Sequence, residues 1–96
     1  MSEKLCDRVL RKEERFDEGN SYSYELVVRE GETVADFRLP LYSIRVDMTD
    51  TEGNRRQADA RDVFSNAEKA IAFFDKIVRN LATPIDLAYI LEDEMV

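Results

Sequence analysis

The sequence predicts an α+β domain in which an antiparallel β-sheet of three to five strands, a β-meander, is followed by two C-terminal helices packed on one face. Up to about residue 63, apolar and polar residues alternate in several stretches, which is typical of half-buried strands. In the last third of the chain, apolar residues recur every three or four positions, which indicates helices. Since the strands precede the helices without βαβ alternation, the class is α+β. We expect one domain over residues 1–96, with the sheet over about residues 4–63 and helices over about residues 65–81 and 84–94.

The first segment, residues 5–16, is compatible with two structures. Its apolar residues fit either a short helical stripe or one face of a strand: Leu5, Cys6, Val9, Leu10 and Phe16. Residues 17–20 have the composition of a turn, and the segment beyond them is a strand that needs a neighbour. These two features favour an edge strand.

The clearest strand covers residues 21–29. One of its faces is apolar or aromatic: Tyr22, Tyr24, Leu26 and Val28. Glu30-Gly31 has the composition of a tight reversal, and alternation resumes afterwards at Ala35, Phe37 and Leu39. The sequence therefore predicts a hairpin between these two stretches.

The apolar positions change from odd to even numbers at Pro40. After it they are Tyr42, Ile44, Val46 and Met48. Because a slip of one residue sends every side chain to the opposite face, and because proline cannot donate to a ladder, we expect a bulge or break at Pro40. The pattern leaves open whether residues 33–48 are one bulged strand or two. A polar loop over residues 49–54 and a weak strand over residues 56–63 follow.

Capping signals mark the starts of both helices. Ser65 and Glu68 have the S-x-x-E spacing of a capping box, with Ser65 as the N-cap. The apolar stripe of this helix is Ala67, Ala70, Ile71, Phe74, Ile77, Val78 and Leu81. Thr83, Pro84 and Asp86 start the second helix as N-cap, first helical residue and capping-box partner. In that helix we expect Leu87, Ile90 and Leu91 to face inward.

Composition excludes several classes of function. The chain has no histidine and a single cysteine, Cys6, which removes the commonest metal ligand, the usual general base and any thiolate cluster. With 14 basic and 21 acidic residues the net charge is −7, and no segment is basic, so we expect no nucleic-acid binding. No apolar run is long enough for a membrane helix, and no secretory signal is evident, which predicts a cytoplasmic protein. We also expect no cofactor.

Two acidic clusters could carry chemistry, but each has a simpler structural interpretation. The oxygen-rich residues of the loop, Asp47, Asp50, Glu52 and Asn54, lack the spacing of a calcium-binding loop and fit a hairpin turn. Asp59 and Asp62 stand three residues apart, so on a regular strand they would point to opposite faces and form no catalytic pair. Similarly, the tyrosines at 22, 24 and 42 share their parity with aliphatic residues, which indicates core positions with hydroxyls near the rim.

The most unusual charges lie at the end of the second helix. Glu92, Asp93 and Glu94 place three carboxylates at the negative end of the helix dipole, where they are unfavourable. A basic partner surface would relieve this repulsion, so these residues are the candidate partner contact.

Four segments of the chain form a recognisable set of structural motifs: Tyr42-Ser43-Ile44, Asp62-Val63-Phe64-Ser65, the helix to Asn80, and the run Thr83 to Asp93. In these segments the chain resembles a family of small uncharacterised proteins, a domain of unknown function from Gram-positive anaerobic bacteria. Ser43 stands where the family often has Gly, and Asp86 where it often has His. The resemblance implies a strand over residues 5–16 and a cytoplasmic bacterial protein, and it implies no known activity or ligand.

Two hypotheses about function follow. The first is a small non-enzymatic protein-interaction or regulatory module, acting as a homodimer or with an unknown protein partner. The second is a small-ligand-binding protein or a carboxylate-based enzyme that uses a pocket between the sheet and the helices. The missing catalytic constellation favours the first.

Overall fold

The computed structural model describes residues 5–31 and 40–95, which form four strands and two helices. The strands are β1 (Leu5–Asp17), β2 (Asn20–Gly31), β3 (Leu41–Thr49) and β4 (Arg55–Phe64), and the helices are α1 (Ala67–Arg79) and α2 (Pro84–Met95). Each strand pairs antiparallel with the next, in the order β1-β2-β3-β4. The predicted α+β class, with a β-meander followed by two helices, is confirmed. The prediction that residues 5–16 form an edge strand is confirmed as well.

The turn between β1 and β2 is tight. Asp17 pairs with Asn20, and the two residues between them, Glu18 and Gly19, have positive φ angles of 52° and 86°. Turns with positive φ at both central residues match the right-handed twist of the strands they join. The predicted turn over residues 17–20 is therefore confirmed.

The predicted reversal at Glu30-Gly31 is wrong. Both residues belong to β2, where Glu30 pairs with Cys6 and Gly31 with Leu5. Because β1 is long enough to pair with them, the ladder includes this dipeptide, although it favours turns locally. The antiparallel neighbour of β2 is β3, and the strand predicted at Ala35, Phe37 and Leu39 lies outside the described residues.

One face of the sheet carries the core. The even-numbered residues of β2 and β3 are buried or nearly so, which confirms the predicted alternation: Tyr22, Tyr24, Leu26 and Val28, then Tyr42, Ile44, Val46 and Met48. The rings of Tyr22 and Tyr24 stack with centroids 6.3 Å apart. Both helices pack on this face, and their buried residues belong to the same cluster as those of the sheet. The opposite face of the sheet, hereafter the open face, carries the odd-numbered residues of β2 and β3.

Helix α1 begins one residue later than predicted. Its N-cap is Asn66, whose Oδ1 accepts a hydrogen bond from the Lys69 N–H at 3.0 Å, so the prediction of Ser65 as N-cap is wrong. Ala67, predicted to face inward, is exposed, whereas Phe73 is buried and packs on Phe64 with ring centroids 5.3 Å apart. The other predicted members of the stripe are buried or half-buried.

Candidate functional site

Helix α2 is fixed at its start by the predicted capping box. The Thr83 N–H donates to Asp86 Oδ2 at 3.1 Å, and the Asp86 N–H donates to Thr83 Oγ1 at 3.2 Å. One residue earlier, the carbonyl of Ala82 accepts a hydrogen bond of 2.9 Å from the hydroxyl of Tyr24, which lies in the middle of the sheet. The link between the helices is thus attached to the core, and α2 leaves it in a defined direction.

The inward side of α2 agrees with the sequence prediction. Leu87 is buried, and Ile90 and Leu91 are partly buried against the core cluster. α2 packs on β3 and β4. The other side of α2 therefore faces solvent, while the packed side holds the helix in place.

That other side carries an apolar pair. Ile85 is 59% exposed and Tyr89 is 67% exposed, and residues four apart lie next to each other along one side of a helix. Ala88 beside them is also exposed, and the exposed Glu92 and Asp93 follow within the next turn. We call these five residues the α2 outer surface.

The structure places the predicted contact residues at the end of this surface. Glu92 and Asp93 are exposed, and Glu94 belongs to α2, although its side chain lies outside the described residues. No basic residue stands in the last turn of the helix, so the carboxylates meet the negative end of the dipole uncompensated. Sequence reasoning did not single out Ile85 and Tyr89. Once Leu87, Ile90 and Leu91 are assigned inward, however, the spacing of four leaves these two residues on the opposite side.

The open face of the sheet carries ion pairs that run across the strands. Arg29 Nε lies 3.1 Å from Asp7 Oδ1, and Arg29 Nη1 lies 3.2 Å from Asp62 Oδ2. Arg45 Nε lies 3.0 Å from Asp59 Oδ1, and its Nη1 lies 3.5 Å from Glu25 Oε1. The hydrogen bond that Arg29 donates to Asp7, followed by the charge of Asp62, raises the pKa of Arg29. In the structure, each of these carboxylates is paired with an arginine.

The prediction that Asp59 and Asp62 point to opposite faces applies to a regular strand, but β4 is irregular between these two residues. Ile44 pairs with Ala60, and Tyr42 pairs with Phe64, so β4 has extra residues opposite Ser43. Asp62 lies in this bulge with φ of 55°, and its N–H donates to Ser43 Oγ at 2.8 Å. The bulge turns Asp62 onto the open face beside Asp59, where each carboxylate binds a different arginine.

The polar loop between β3 and β4 is a hairpin turn built around Asp50. Its carboxylate accepts hydrogen bonds from the N–H groups of Glu52 and Asn54 at 2.9 Å and from Asn54 Nδ2 at 3.2 Å. The backbone hydrogen bond from Asn54 is the main reason that the pKa of Asp50 is lowered. Over residues 5–31 and 40–95, no cluster of three or more acidic or cysteine side chains is arranged to hold a metal ion.

A groove of about 500 Å³ lies between the sheet and α1 at the β1 side. Its walls are formed by Glu13, Arg15 and Phe16 from β1 and by Asp75, Val78 and Arg79 from α1. The buried residues of the core cluster also lie between the sheet and the helices. Neither helix in the described part of the chain is long and apolar enough to cross a membrane.

Comparison with known proteins places this fold in a family without assigning it an activity. No curated protein and no solved structure matches the chain. The model of a family of unknown function, DUF6514, matches residues 5–96. The sequence-level resemblance to a small domain-of-unknown-function family is thereby confirmed, and the chain belongs to the family of unknown function DUF6514.

Proposed function

We propose that this protein is a small, non-enzymatic protein-interaction module of a bacterial cytoplasm and that its partner binds the α2 outer surface. The observation that carries the proposal is the exposure of Ile85 and Tyr89 on the solvent side of a helix whose other side is anchored in the core. Partners commonly bind an amphipathic helix through apolar residues spaced three and four apart, placed in a groove. Tyrosine is also among the residues that most often dominate binding energy at interfaces.

The charge of the helix end indicates the chemistry of the partner. Glu92 and Asp93 lie within one turn of Tyr89, and the chain as a whole has a net charge of −7. A partner that surrounds an apolar groove with lysines or arginines would cover the exposed tyrosine and relieve the unfavourable charges at the end of the dipole. We therefore expect a basic protein partner.

Other observations favour a binding role over catalysis. The sequence has no histidine, and the carboxylates of Asp59 and Asp62 are paired with Arg45 and Arg29. The same pairs neutralise arginines that could otherwise bind phosphate, which disfavours nucleic acid as the partner. A carboxylate-based enzyme would need a free carboxylate with a raised pKa beside a substrate cavity.

A capture experiment with matched variants tests the proposal. Tagged protein is incubated with lysate of the source organism, and captured proteins are identified and purified for titration. One test variant carries Glu92→Gln, Asp93→Asn and Glu94→Gln, and the other carries Tyr89→Ala. The control carries Glu18→Gln, Glu52→Gln and Glu68→Gln, which removes the same number of acidic charges at exposed positions outside α2 and β1.

The proposal requires one purified basic protein that loses about tenfold or more in affinity with each test variant, a change of about 1.4 kcal/mol. The control variant should bind as the wild type does, and affinity should fall with rising salt. A captured protein that binds all variants equally would refute the assignment of the surface. If sedimentation instead showed a dimer that Tyr89→Ala dissociates, the occupant would be a second copy rather than a basic partner.

A further inference from the structure

We infer that the outer edge of β1 is a second binding site, which takes an extended peptide segment of a partner protein as an additional strand. β1 lies at one end of the sheet order, so one of its edges has no neighbouring strand among residues 5–31 and 40–95. An exposed edge offers unpaired N–H and C=O groups to another chain. This site is separate from the α2 outer surface, and the inference does not depend on the proposed function.

The site is confined to the second half of the strand. The pairing of β1 with β2 shifts register between Val9 and Arg11, and such irregularities disturb regular pairing on an edge. From Lys12 to Asp17 the pairing with β2 is continuous. Six residues in extended conformation give an edge of roughly 20 Å, enough for a short peptide.

The groove described above lies beside this half of the strand. Alternate side chains of an added strand would point toward the helix side of the sheet, where Glu13 and Arg15 face Asp75 and Arg79 of α1 across the groove. Phe16 is 77% exposed and borders both this groove and the open face. An apolar peptide residue opposite Phe16 would cover a large aromatic surface that the protein itself leaves in water.

A second copy of the chain matches the charges of this edge less completely than a peptide of another sequence can. A two-fold axis between antiparallel edge strands places some residue directly opposite its own copy. An axis at Lys12, Glu13, Glu14 or Arg15 sets a charged residue against its own copy, and an axis at Phe16 leaves only residues 15–17 to pair before the turn at Glu18 and Gly19. Directly opposed like charges destabilise a sheet. A peptide of different sequence is free of this constraint and can match every charge.

Cross-strand complementarity gives the sequence such a peptide should have. Read antiparallel from the position opposite Asp17 to the position opposite Lys12, it is basic, apolar, acidic, basic, basic and acidic. The probe is therefore the blocked peptide Lys-Val-Glu-Lys-Lys-Glu. Exchanging its third and fifth residues gives Lys-Val-Lys-Lys-Glu-Glu, which has the same composition but the wrong charges opposite Arg15 and Glu13.

The test titrates both peptides, up to about ten millimolar, into isotope-labelled protein followed by amide NMR shifts. It uses the wild type and a variant with Glu13→Arg and Arg15→Glu, which has the same net charge. The wild type should prefer the first peptide by about tenfold, and the variant should prefer the second by a similar factor. Shifts in the wild type should map to residues 12–17 and 75–81.

A further measurement uses only the wild-type protein, so its result does not depend on whether the variant folds. Two versions of the first peptide are methylated on the backbone nitrogens of alternate residues, one at the odd positions and one at the even positions. One of the two phases should bind at least tenfold more weakly, because strand addition depends on main-chain hydrogen bonds. The inference is overturned if neither peptide binds, if the shifts map elsewhere, if the exchanged peptide binds the wild type equally well, or if methylation in both phases changes nothing.

Discussion

Replacing Tyr24 by Phe tests the most deeply buried polar contact described. Tyr24 is fully buried, its hydroxyl donates to the carbonyl of Ala82 at 2.9 Å, and Ala82 is only 2% exposed. The variant keeps the ring but leaves this carbonyl without its donor, which costs about 1–3 kcal/mol of unfolding free energy. Urea unfolding at neutral pH should show this loss with an unchanged slope.

The matched control is Tyr22→Phe. Tyr22 is 8% exposed, and its hydroxyl makes no hydrogen bond to the described part of the protein. We expect a change within about 0.5 kcal/mol there, since no buried partner is left unsatisfied. A loss below about 0.5 kcal/mol for Tyr24→Phe, or equal losses for both variants, would show that the Tyr24 hydroxyl does not support the link between the helices.

The same residue predicts how stability changes at high pH. Burial, followed by the charge of Tyr22, raises the pKa of Tyr24 to about 12. An unfolded tyrosine ionises near 10, so the stabilisation is fully present below about pH 10 and is lost as pH rises toward 12. Two units correspond to about 3 kcal/mol, and the phenylalanine variant lacks this contribution. The advantage of the wild type over the variant should therefore shrink across this window, and a constant difference from pH 9 to pH 11 would contradict the reasoning.

Two further predictions concern the core and the first turn. Phe74 is 1% exposed, so Phe74→Ala should cost about 3–5 kcal/mol by urea unfolding, and a loss below about 1 kcal/mol would place it outside the core. Glu18 has a φ of 52° in the β1–β2 turn, where Asn is strongly preferred before Gly. Glu18→Asn should therefore stabilise the protein by about 0.5–1 kcal/mol, seen as a higher thermal midpoint, and a lower midpoint would mean that Glu18 has a contact that outweighs its backbone strain.

The buried strands were predictable because their two sides differ strongly in environment. The alternation of Tyr22, Tyr24, Leu26 and Val28 follows directly from one covered and one open face. β1 was ambiguous because its two sides differ little in environment. It lies at the edge of the sheet, and its described apolar residues include Val9 at 50% and Phe16 at 77% exposure, so burial imposes little pattern on its sequence.

The errors arose where distant contacts override local preference. Glu30-Gly31 has the composition of a turn, but pairing with Leu5 and Cys6, more than twenty residues earlier, keeps it extended. Ser65 and Asn66 are both good N-caps, and local rules cannot rank them. Phe73, which the predicted stripe left out, is buried because it packs on Phe64 of β4.

The candidate surface was only half predictable. The acidic end of α2 is visible in the sequence because Glu92, Asp93 and Glu94 stand together at the wrong end of a dipole. Whether Ile85 and Tyr89 are exposed depends on the elements around α2. A longer α1 or a wider sheet could have covered either residue. The sequence could therefore place Ile85 and Tyr89 on the outer side of α2, but their exposure is known only from the structure.

Asp62 shows how one irregular position controls a surface, and its two roles can be separated by substitution. Its backbone has a φ of 55°, which favours Asn and Asp over branched residues, while its carboxylate pairs with Arg29 at a side-chain exposure of 32%. Asp62→Asn removes the charge and keeps the backbone preference, so it should cost less than about 1 kcal/mol, as exposed ion pairs do. Asp62→Val should cost at least about 1–2 kcal/mol more, because a β-branched residue strongly disfavours this conformation. Equal losses for the two variants, measured by urea unfolding, would show that the ion pair rather than the bulge holds β4 in place.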